Sequence, residues 1–273
     1  MNMEEKRNSI SNNTVHSKNV LLLRVGADVN YGGFHSPIFE DKSFRFIPIP
    51  DCNVLKEHRI SYQDYKWADE NIANYLPDMI KRKGSKQIGD RQKNYYPWFV
   101  HDDPEFRTYT YGSPIKTYKG KIEKNYRGLC KLDKDYLLIF YADFSAHDPN
   151  LRVQLDGFYM FAYFIIERPA IEYQNQDDLP GNLKKRIAEN HHVLHGWHNQ
   201  VVALGDMTRS RVFKKAVLLS LKSRDLKGQN YFPCQEIQDK FHYKKSLNLS
   251  SLRTLDDSVS LESVKNLLDR ASS

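Results

Sequence analysis

The sequence predicts an α+β fold with a mixed, twisted sheet and peripheral helices, and two kinds of segment support this. Residues 136–141 and 158–166 are rich in β-branched and aromatic side chains and flank a polar loop, so we expect neighbouring strands. Residues 20–25 are almost continuously apolar, which is typical of a strand buried on both faces. Residues 181–194 and 260–271 carry apolar side chains at helical spacing.

The remaining elements follow in chain order. Residues 1–18 are polar and aperiodic, which predicts a disordered tail before a single domain formed by residues 19–273. An edge strand is predicted to begin at Phe44 and to end at the prolines Pro48 and Pro50. A helix is predicted within 61–76, short strands and loops over 81–127, and a strand at 201–204. Thr208 is predicted to cap a further helix, with Val212, Phe213 and Ala216 on one face, and a strand follows at 216–220.

The composition excludes several classes of protein. Cys52, Cys130 and Cys234 are too few and too scattered for a disulfide framework or a cysteine-based metal site. The longest apolar run, residues 158–166, is about half of the ~18 residues that a membrane span requires. The N-terminal segment is polar and lacks the apolar stretch of a secretory signal. We therefore expect a cytoplasmic protein without membrane contact.

The charge balance favours a nucleic-acid partner, although mildly. Lysine and arginine number 41 against 34 acidic residues, for a net charge of +7 and a pI near 9.1. Within 81–127 basic side chains are interleaved with aromatic ones, which suits a surface where basic groups contact phosphates and aromatic rings stack on bases. The alternative is that the basic side chains are simply exposed to solvent and the aromatic ones belong to the core. The candidate nucleic-acid surface comprises Lys93, Tyr95, Tyr96, Trp98, Lys116, Lys119, Lys121 and Arg127.

The first candidate site is the loop 26–37, directly after the first predicted strand. Loops at the carboxyl ends of strands bind ligands in many sheet proteins, and glycine lets backbone N–H groups approach a phosphate. A turn with exposed polar side chains is the alternative. The candidates are Asp28 and His35 for catalysis and Asn30, Gly32, Gly33 and Ser36 for nucleotide or phosphate binding.

Two further segments carry candidate residues. His191 and His195 would share a helix face, as the two histidines of a zinc-protease motif do. The glutamate that such a motif requires is missing, so we expect no metal there. A single histidine, His192, is instead the candidate general acid or base. Residues 205–211 combine a predicted helix N-terminus with arginines, which favours an anion. The phosphate-binding candidates from these segments are Asn190, Asp206, Arg209 and Ser210. No nuclease or serine-hydrolase motif is present, and the sequence identifies no cofactor.

Several motifs resemble the nucleotide modification associated domain 3 family. They are Val20 to Asp28, Gly32-Gly33 with Ser36-Pro37, Phe44 to Pro50, His101-Asp102-Asp103-Pro104-Glu105-Phe106, Asn190-x-His192, and Gly205-Asp206 with Ser210-Arg211. The likeness extends over residues 19–220. It implies association with systems that modify bases in DNA, and it brings no established catalytic set.

We therefore expect a protein of a DNA base-modification or defence system that acts on or recognises a nucleotide. DNA is the expected ligand, RNA the alternative, and protein partners of such a system are also expected. A non-catalytic reader of modified bases and a scaffold subunit remain open. In the catalytic hypothesis, the 28–36 loop meets Asn190 and His192 and the Asp206–Arg209 segment at one sheet edge, with Asp28 or His192 transferring a proton.

Overall fold

The largest sheet of the structure mixes parallel and antiparallel strands, as predicted for an α+β fold. The computed structural model describes residues 19–26, 31–32, 34–51, 60–76, 81–82, 99–116, 120–151, 153–194, 199–222, 231–244, 247, 253–255 and 261–272. The predicted tail, 1–18, lies outside this range.

The strands and helices are as follows. The strands are β1 (Val20–Arg24), β2 (Tyr31–Gly32), β3 (Ser36–Ile38), β4 (Ile49–Asp51), β5 (Lys66–Trp67), β6 (Glu70–Asn71), β7 (Lys81–Arg82), β8 (Phe99–His101), β9 (Thr110–Pro114), β10 (Leu137–Ala146), β11 (Gly157–Ile165), β12 (Ile171–Tyr173), β13 (Gln200–Leu204), β14 (Arg211–Leu221) and β15 (Arg253–Thr254). The helices are α1 (Lys124–Leu129), α2 (Gly181–Ile187), α3 (His191–Leu194), α4 (Gln235–Phe241) and α5 (Leu261–Ser272), with short 3-10 turns at Ile72–Tyr75 and Gln176–Asp178.

Strands β1, β10 and β11 form the centre of the main sheet, whose order is β14-β11-β10-β1-β15. β1 runs parallel to β10, with Val20 opposite Leu137, and β3 continues along β10 beyond β1. β10 and β11 are antiparallel neighbours, which confirms the pairing predicted from their composition. Every residue of β11 is buried, because both faces of the sheet are covered.

An aromatic layer covers one face of this sheet. The Phe161 ring, on β11, stacks on Phe46 at 4.6 Å between centroids. Its other ring neighbours come from four different segments of the chain: Phe44, Trp67, Phe106 and Phe144. These rings join the segments around residues 44, 67 and 106 to the main sheet.

The helix predicted within 61–76 is wrong. Strands β5 and β6 form a hairpin there instead, with Lys66 opposite Asn71. Its turn residues, Ala68 and Asp69, have φ of 49° and 66°, the left-handed backbone of a tight hairpin turn and incompatible with an α-helix. The apolar residues Ile72 and Leu76, which suggested the helix, instead join a small core with Tyr62.

Replacing Ala68 by glycine is expected to raise the free energy of unfolding by about 0.5–1 kcal/mol, because glycine adopts positive φ without strain. Urea denaturation of both proteins measures the difference. Ala73→Gly is the matched control: Ala73 lies in a 3-10 turn at ordinary φ, so there the same change should be destabilising. A loss of stability in Ala68→Gly would contradict the strained turn.

The helix predicted from Thr208 is also wrong. The Asp206 carboxylate accepts the backbone N–H groups of Thr208, at 2.9 Å, and Arg209, at 3.1 Å, and so closes a turn. The chain then enters the long strand β14, which contains the predicted strand 216–220. An aspartate two residues before a threonine therefore stabilises a turn here rather than a helix N-terminus.

The other predicted elements agree in part with the structure. The predicted helix 181–194 is divided into α2 and α3, and α5 is confirmed with Val264 and Leu268 buried. The expected strand at Phe44 is reduced to an isolated bridge with Ile38, while the following β4 pairs with β8. Helix α1 interrupts the region expected to hold only strands and loops. Within the described residues, none of the helices is long and apolar enough to cross a membrane.

Candidate functional site

A cavity of about 560 Å³ lies between the β5–β6 hairpin, the segment after β8 and the start of β14. Four aromatic side chains contribute to its lining: Phe44, Trp67, Phe106 and Phe213. Trp67 and Phe106 meet edge to face at 5.7 Å, and both contact Phe161. The apolar lining of the cavity is therefore continuous with the aromatic layer on the main sheet.

One end of the cavity is polar. The Tyr65 hydroxyl donates to Asp102 Oδ1 at 2.8 Å, and Arg107 Nη2 lies 3.8 Å from Asp102 Oδ2. Burial raises the pKa of the Asp102 carboxyl to about 7; the Glu105 charge adds to this, whereas the Tyr65 hydrogen bond opposes it. Burial also raises the pKa of Tyr65 well above its ordinary value. A desolvated carboxyl group thus faces an aromatic cavity.

The residues beside Asp102 belong to a second group. His101 Nε2 lies 3.2 Å from His192 Nε2, and His192 Nε2 lies 3.2 Å from Asp103 Oδ2. Asp103 and His192 are buried and His101 is partly exposed. The His191 ring packs on His101, with centroids 4.0 Å apart. We refer to His101, Asp103 and His192 as the histidine–aspartate cluster.

Asn190 and Gly112 position this cluster. Asp103 Oδ1 accepts the Gly112 N–H at 3.1 Å and the Asn190 amide at 3.2 Å, while Asn190 Oδ1 accepts the His192 N–H at 3.1 Å. The Asn190 amide also lies 3.1 Å from Thr110 Oγ1. A Cβ on Gly112 would lie 2.6 Å from Asn190 Oδ1 and 2.9 Å from His192 Cβ. Glycine is therefore what allows α3 to approach β9 this closely.

The predicted loop residues lie in a different group. His35 Nδ1 is 3.4 Å from Asp143 Oδ2, and Arg24 Nη2 is 3.6 Å from the same oxygen. Ser36 is fully buried, and its hydroxyl accepts the backbone N–H of Ile47 at 2.9 Å. Gly32 lies in β2, which pairs with β7. The candidates Asp28, Asn30 and Gly33 lie outside the described residues.

The third predicted segment forms an ion-pair group of its own. Arg209 donates to Asp206 at 2.8 Å and to Asp135 at 2.7 Å. Hydrogen bonds from Thr208 and Arg209 keep the pKa of Asp206 below its ordinary value. Ser210 is buried, and its hydroxyl accepts the Ile165 N–H at 3.1 Å. The contacts described here thus distribute the predicted residues over three groups: His35 beside Asp143, Asn190 with His192, and Asp206 with Arg209.

The predicted nucleic-acid surface is described at three positions. Lys116, Lys121 and Arg127 are exposed, and Arg127 lies in the last turn of α1. The other five candidates lie outside the described residues: Lys93, Tyr95, Tyr96, Trp98 and Lys119.

Composition and spacing indicated neither the cavity nor two of the three members of the histidine–aspartate cluster, His101 and Asp103. The apolar spacing predicts a helix for the segment that contains Tyr65 and Trp67, and only the family resemblance points to His101 and Asp103. The available signal was the run His101-Asp102-Asp103, which places an imidazole beside two carboxyl groups, the residue types that most often transfer protons. Their partner His192 is remote in sequence, so spacing could not reveal it.

Comparison with known proteins gives one match. The profile of the family described as nucleotide modification associated domain 3 matches residues 19–263. No curated protein and no solved structure shows significant similarity to the chain. The matched range includes the cavity, the histidine–aspartate cluster and all the central strands.

Proposed function

Because the chain belongs to the nucleotide modification associated domain 3 family, we propose that it acts on or recognises a nucleotide of DNA, with the base bound in the aromatic cavity. RNA is the alternative ligand. The observation that carries this proposal is the combination of aromatic rings and a buried carboxyl group in one cavity of about 560 Å³. Enzymes that act on a base take it out of the stack and hold it in a pocket, where aromatic or apolar side chains stack on it.

The aromatic part of the cavity suits a planar base. Stacking of a base on an aromatic side chain contributes about 1–3 kcal/mol, whichever base it is. Trp67 and Phe106 are held in place by the layer around Phe161, so little ordering is required when the base enters. The volume is within the range of about 300–1,000 Å³ that is usual for small-molecule sites.

The polar end of the cavity supplies base recognition. A carboxyl oxygen accepts a hydrogen bond from an exocyclic amino group, such as N4 of cytosine. Tyr65 and Arg107 orient Asp102 from the protein side. Selectivity among bases would then come from Asp102, whereas stacking contributes affinity alone.

Basic side chains around the cavity would contact the backbone of the nucleic acid. Lys66 and Lys214 contribute to its lining, and the tract containing Lys116, Lys121 and Arg127 adds exposed positive charge elsewhere. We expect the protein to work in the cytoplasm with protein partners of a DNA modification or defence system.

Trp67→Ala is expected to weaken binding of a single-stranded DNA oligonucleotide about 10–100-fold, because the stacking surface is lost. Asp102→Asn, which keeps an oxygen for the Tyr65 hydroxyl, is expected to weaken binding about 10-fold and to change the preference among oligonucleotides of different base. Fluorescence anisotropy at ~50 mM salt measures both. Raising the salt to ~200 mM should weaken binding of the unmodified protein steeply if phosphates are contacted.

Phe232→Ala is the matched control, because Phe232 is an exposed aromatic residue that does not line the cavity. It should bind like the unmodified protein. Thermal unfolding of each variant separates lost binding from lost folding, and Asp102→Asn alters the packing least. Failure of the unmodified protein to bind any oligonucleotide or nucleotide, or unchanged binding by folded Trp67→Ala and Asp102→Asn, would overturn the proposal.

A further inference from the structure

We propose that the histidine–aspartate cluster binds one divalent transition-metal ion of the first row, with His101 Nε2, His192 Nε2 and Asp103 Oδ2 as its ligands. The three residues each offer one ligand atom, and these atoms all lie within 4.8 Å of one another. This site is additional to the nucleotide cavity, and metal binding can be measured without nucleotide.

Two of the three distances between the ligand atoms are close to those within one coordination shell. Two nitrogen ligands bound to one tetrahedral Zn²⁺ at about 2.0–2.1 Å lie about 3.3–3.4 Å apart. The two Nε2 atoms are 3.2 Å apart, and Asp103 Oδ2 is 3.2 Å from His192 Nε2. An ion beside His192 Nε2 can therefore also reach either of the other two atoms, and all three atoms lie within 4.8 Å of one another.

The same His192 nitrogen faces both other ligands, which favours a cation over hydrogen bonding alone. One Nε2 atom carries either a single proton or a single lone pair. A proton aimed at Asp103 cannot also be aimed at His101, and a lone pair there would face the negatively charged carboxylate. A shared metal ion satisfies all three groups at once, because each ligand then directs a lone pair at the ion.

The surroundings orient the ligands as at established metal sites. Asp103 uses Oδ1 for Gly112 and Asn190, so Oδ2 is turned toward the histidines. Asn190 also fixes the backbone of His192 through its N–H. Hydrogen bonds of this kind to the ligands usually contribute about 10–100-fold to metal affinity.

The ligand set determines the class of metal. Mg²⁺ and Ca²⁺ prefer oxygen ligands, whereas imidazole suits Zn²⁺, Fe²⁺ and their neighbours. Two histidines and one carboxylate leave coordination positions for water or substrate, as catalytic metal sites do and closed structural sites do not. The site would therefore bring a Lewis-acidic ion to a segment, His101 to Asp103, that also borders the nucleotide cavity through Asp102.

The test is a Co²⁺ titration of the full chain after chelator treatment and removal of any purification tag, followed by visible absorption and by metal analysis. We expect one Co²⁺ per chain, displaced by Zn²⁺. Asp103→Asn preserves an oxygen for Gly112 and Asn190 but replaces the ligand, so it should weaken Co²⁺ binding at least about 100-fold, as should His101→Ala. Circular dichroism and thermal unfolding establish that each variant is folded.

The matched control removes two other histidines, as His195→Ala with His198→Ala. These positions are not in the proposed ligand set, so Co²⁺ affinity should change less than about 2-fold. The proposal is overturned if the unmodified chain binds no Co²⁺, if folded Asp103→Asn binds it like the unmodified chain, or if the His195/His198 variant loses it. Each of these results leaves the test of nucleotide binding at Trp67 and Asp102 unaffected.

Discussion

Replacing Phe161 by alanine is expected to lower the free energy of unfolding by about 3–5 kcal/mol, the usual cost of deleting a buried aromatic ring. Phe161 is completely buried on β11, and its ring contacts those of Phe46 and Trp67 among others. Because the neighbouring rings come from separate segments, they cannot all move in to fill the space, and most of the void left by the deleted ring remains. The loss is a large fraction of the ~5–15 kcal/mol that stabilises a typical domain.

Urea denaturation of Phe161→Ala, Phe161→Leu and Phe232→Ala measures this cost against matched controls. The leucine variant keeps most of the volume and should lose less than the alanine variant. Phe232 is 49% exposed, so its removal should change stability by no more than about 0.5 kcal/mol. A loss below about 1 kcal/mol in Phe161→Ala would show that the aromatic layer is not the main support of the fold. A folded Phe161→Ala protein should also bind oligonucleotide less tightly, because Trp67 and Phe106 lose a shared neighbour.

Replacing Gly112 by alanine is expected to cost about 1–3 kcal/mol of stability and to weaken Co²⁺ binding about 10–100-fold. The added Cβ would lie 2.6 Å from Asn190 Oδ1 and 2.9 Å from His192 Cβ, so α3 must move away from β9. That movement separates His192 from Asp103 and breaks the hydrogen bonds of Asn190. The substitution adds a single methyl group, and it leaves every proposed metal ligand chemically intact.

Gly181→Ala is the control for Gly112→Ala, because a Cβ at Gly181 would meet no atom within 4 Å. In helix α2 the added methyl group should be neutral or should stabilise by up to about 1 kcal/mol, since alanine favours the helix. Thermal unfolding and Co²⁺ titration of both variants give the comparison. Equal behaviour of the two alanine variants would mean that the contact between α3 and β9 does not govern the cluster.

The central strands could be predicted from the sequence because their segments are nearly continuously apolar, and those of β10 and β11 are rich in β-branched and aromatic residues, which favour strands. Turn geometry could not: Ala68 and Asp69 adopt positive φ without a glycine to indicate it, and Asp206 closes its turn through its own carboxylate. In both places the apolar spacing predicts a helix, but tertiary packing favours a turn and a strand over the helical preference of the local sequence.

The candidate site was only partly predictable, for a related reason. Asn190 and His192 are close in sequence, so both could be identified together, and the structure joins them by a hydrogen bond. Their partners Asp103 and His101 come from a distant segment, and Asp103 is joined to Asn190 and to Gly112 of β9 by hydrogen bonds. Spacing along the chain contains no information about such tertiary pairings. The proposed roles of His35, Asp206 and Arg209 stay predictions.

The parallel pairing of β1 with β10 has a consequence for folding and for variation in length. Val20 meets Leu137 only after the whole intervening segment has been looped out, so the central sheet has high contact order and should form slowly. The entropy of closing such a loop grows only logarithmically, by about 0.6 kcal/mol for each doubling of its length. Insertions between these two strands should therefore destabilise the main sheet only slightly. Those placed near Trp67 or Phe106 would alter the lining of the cavity while the main sheet stays unchanged.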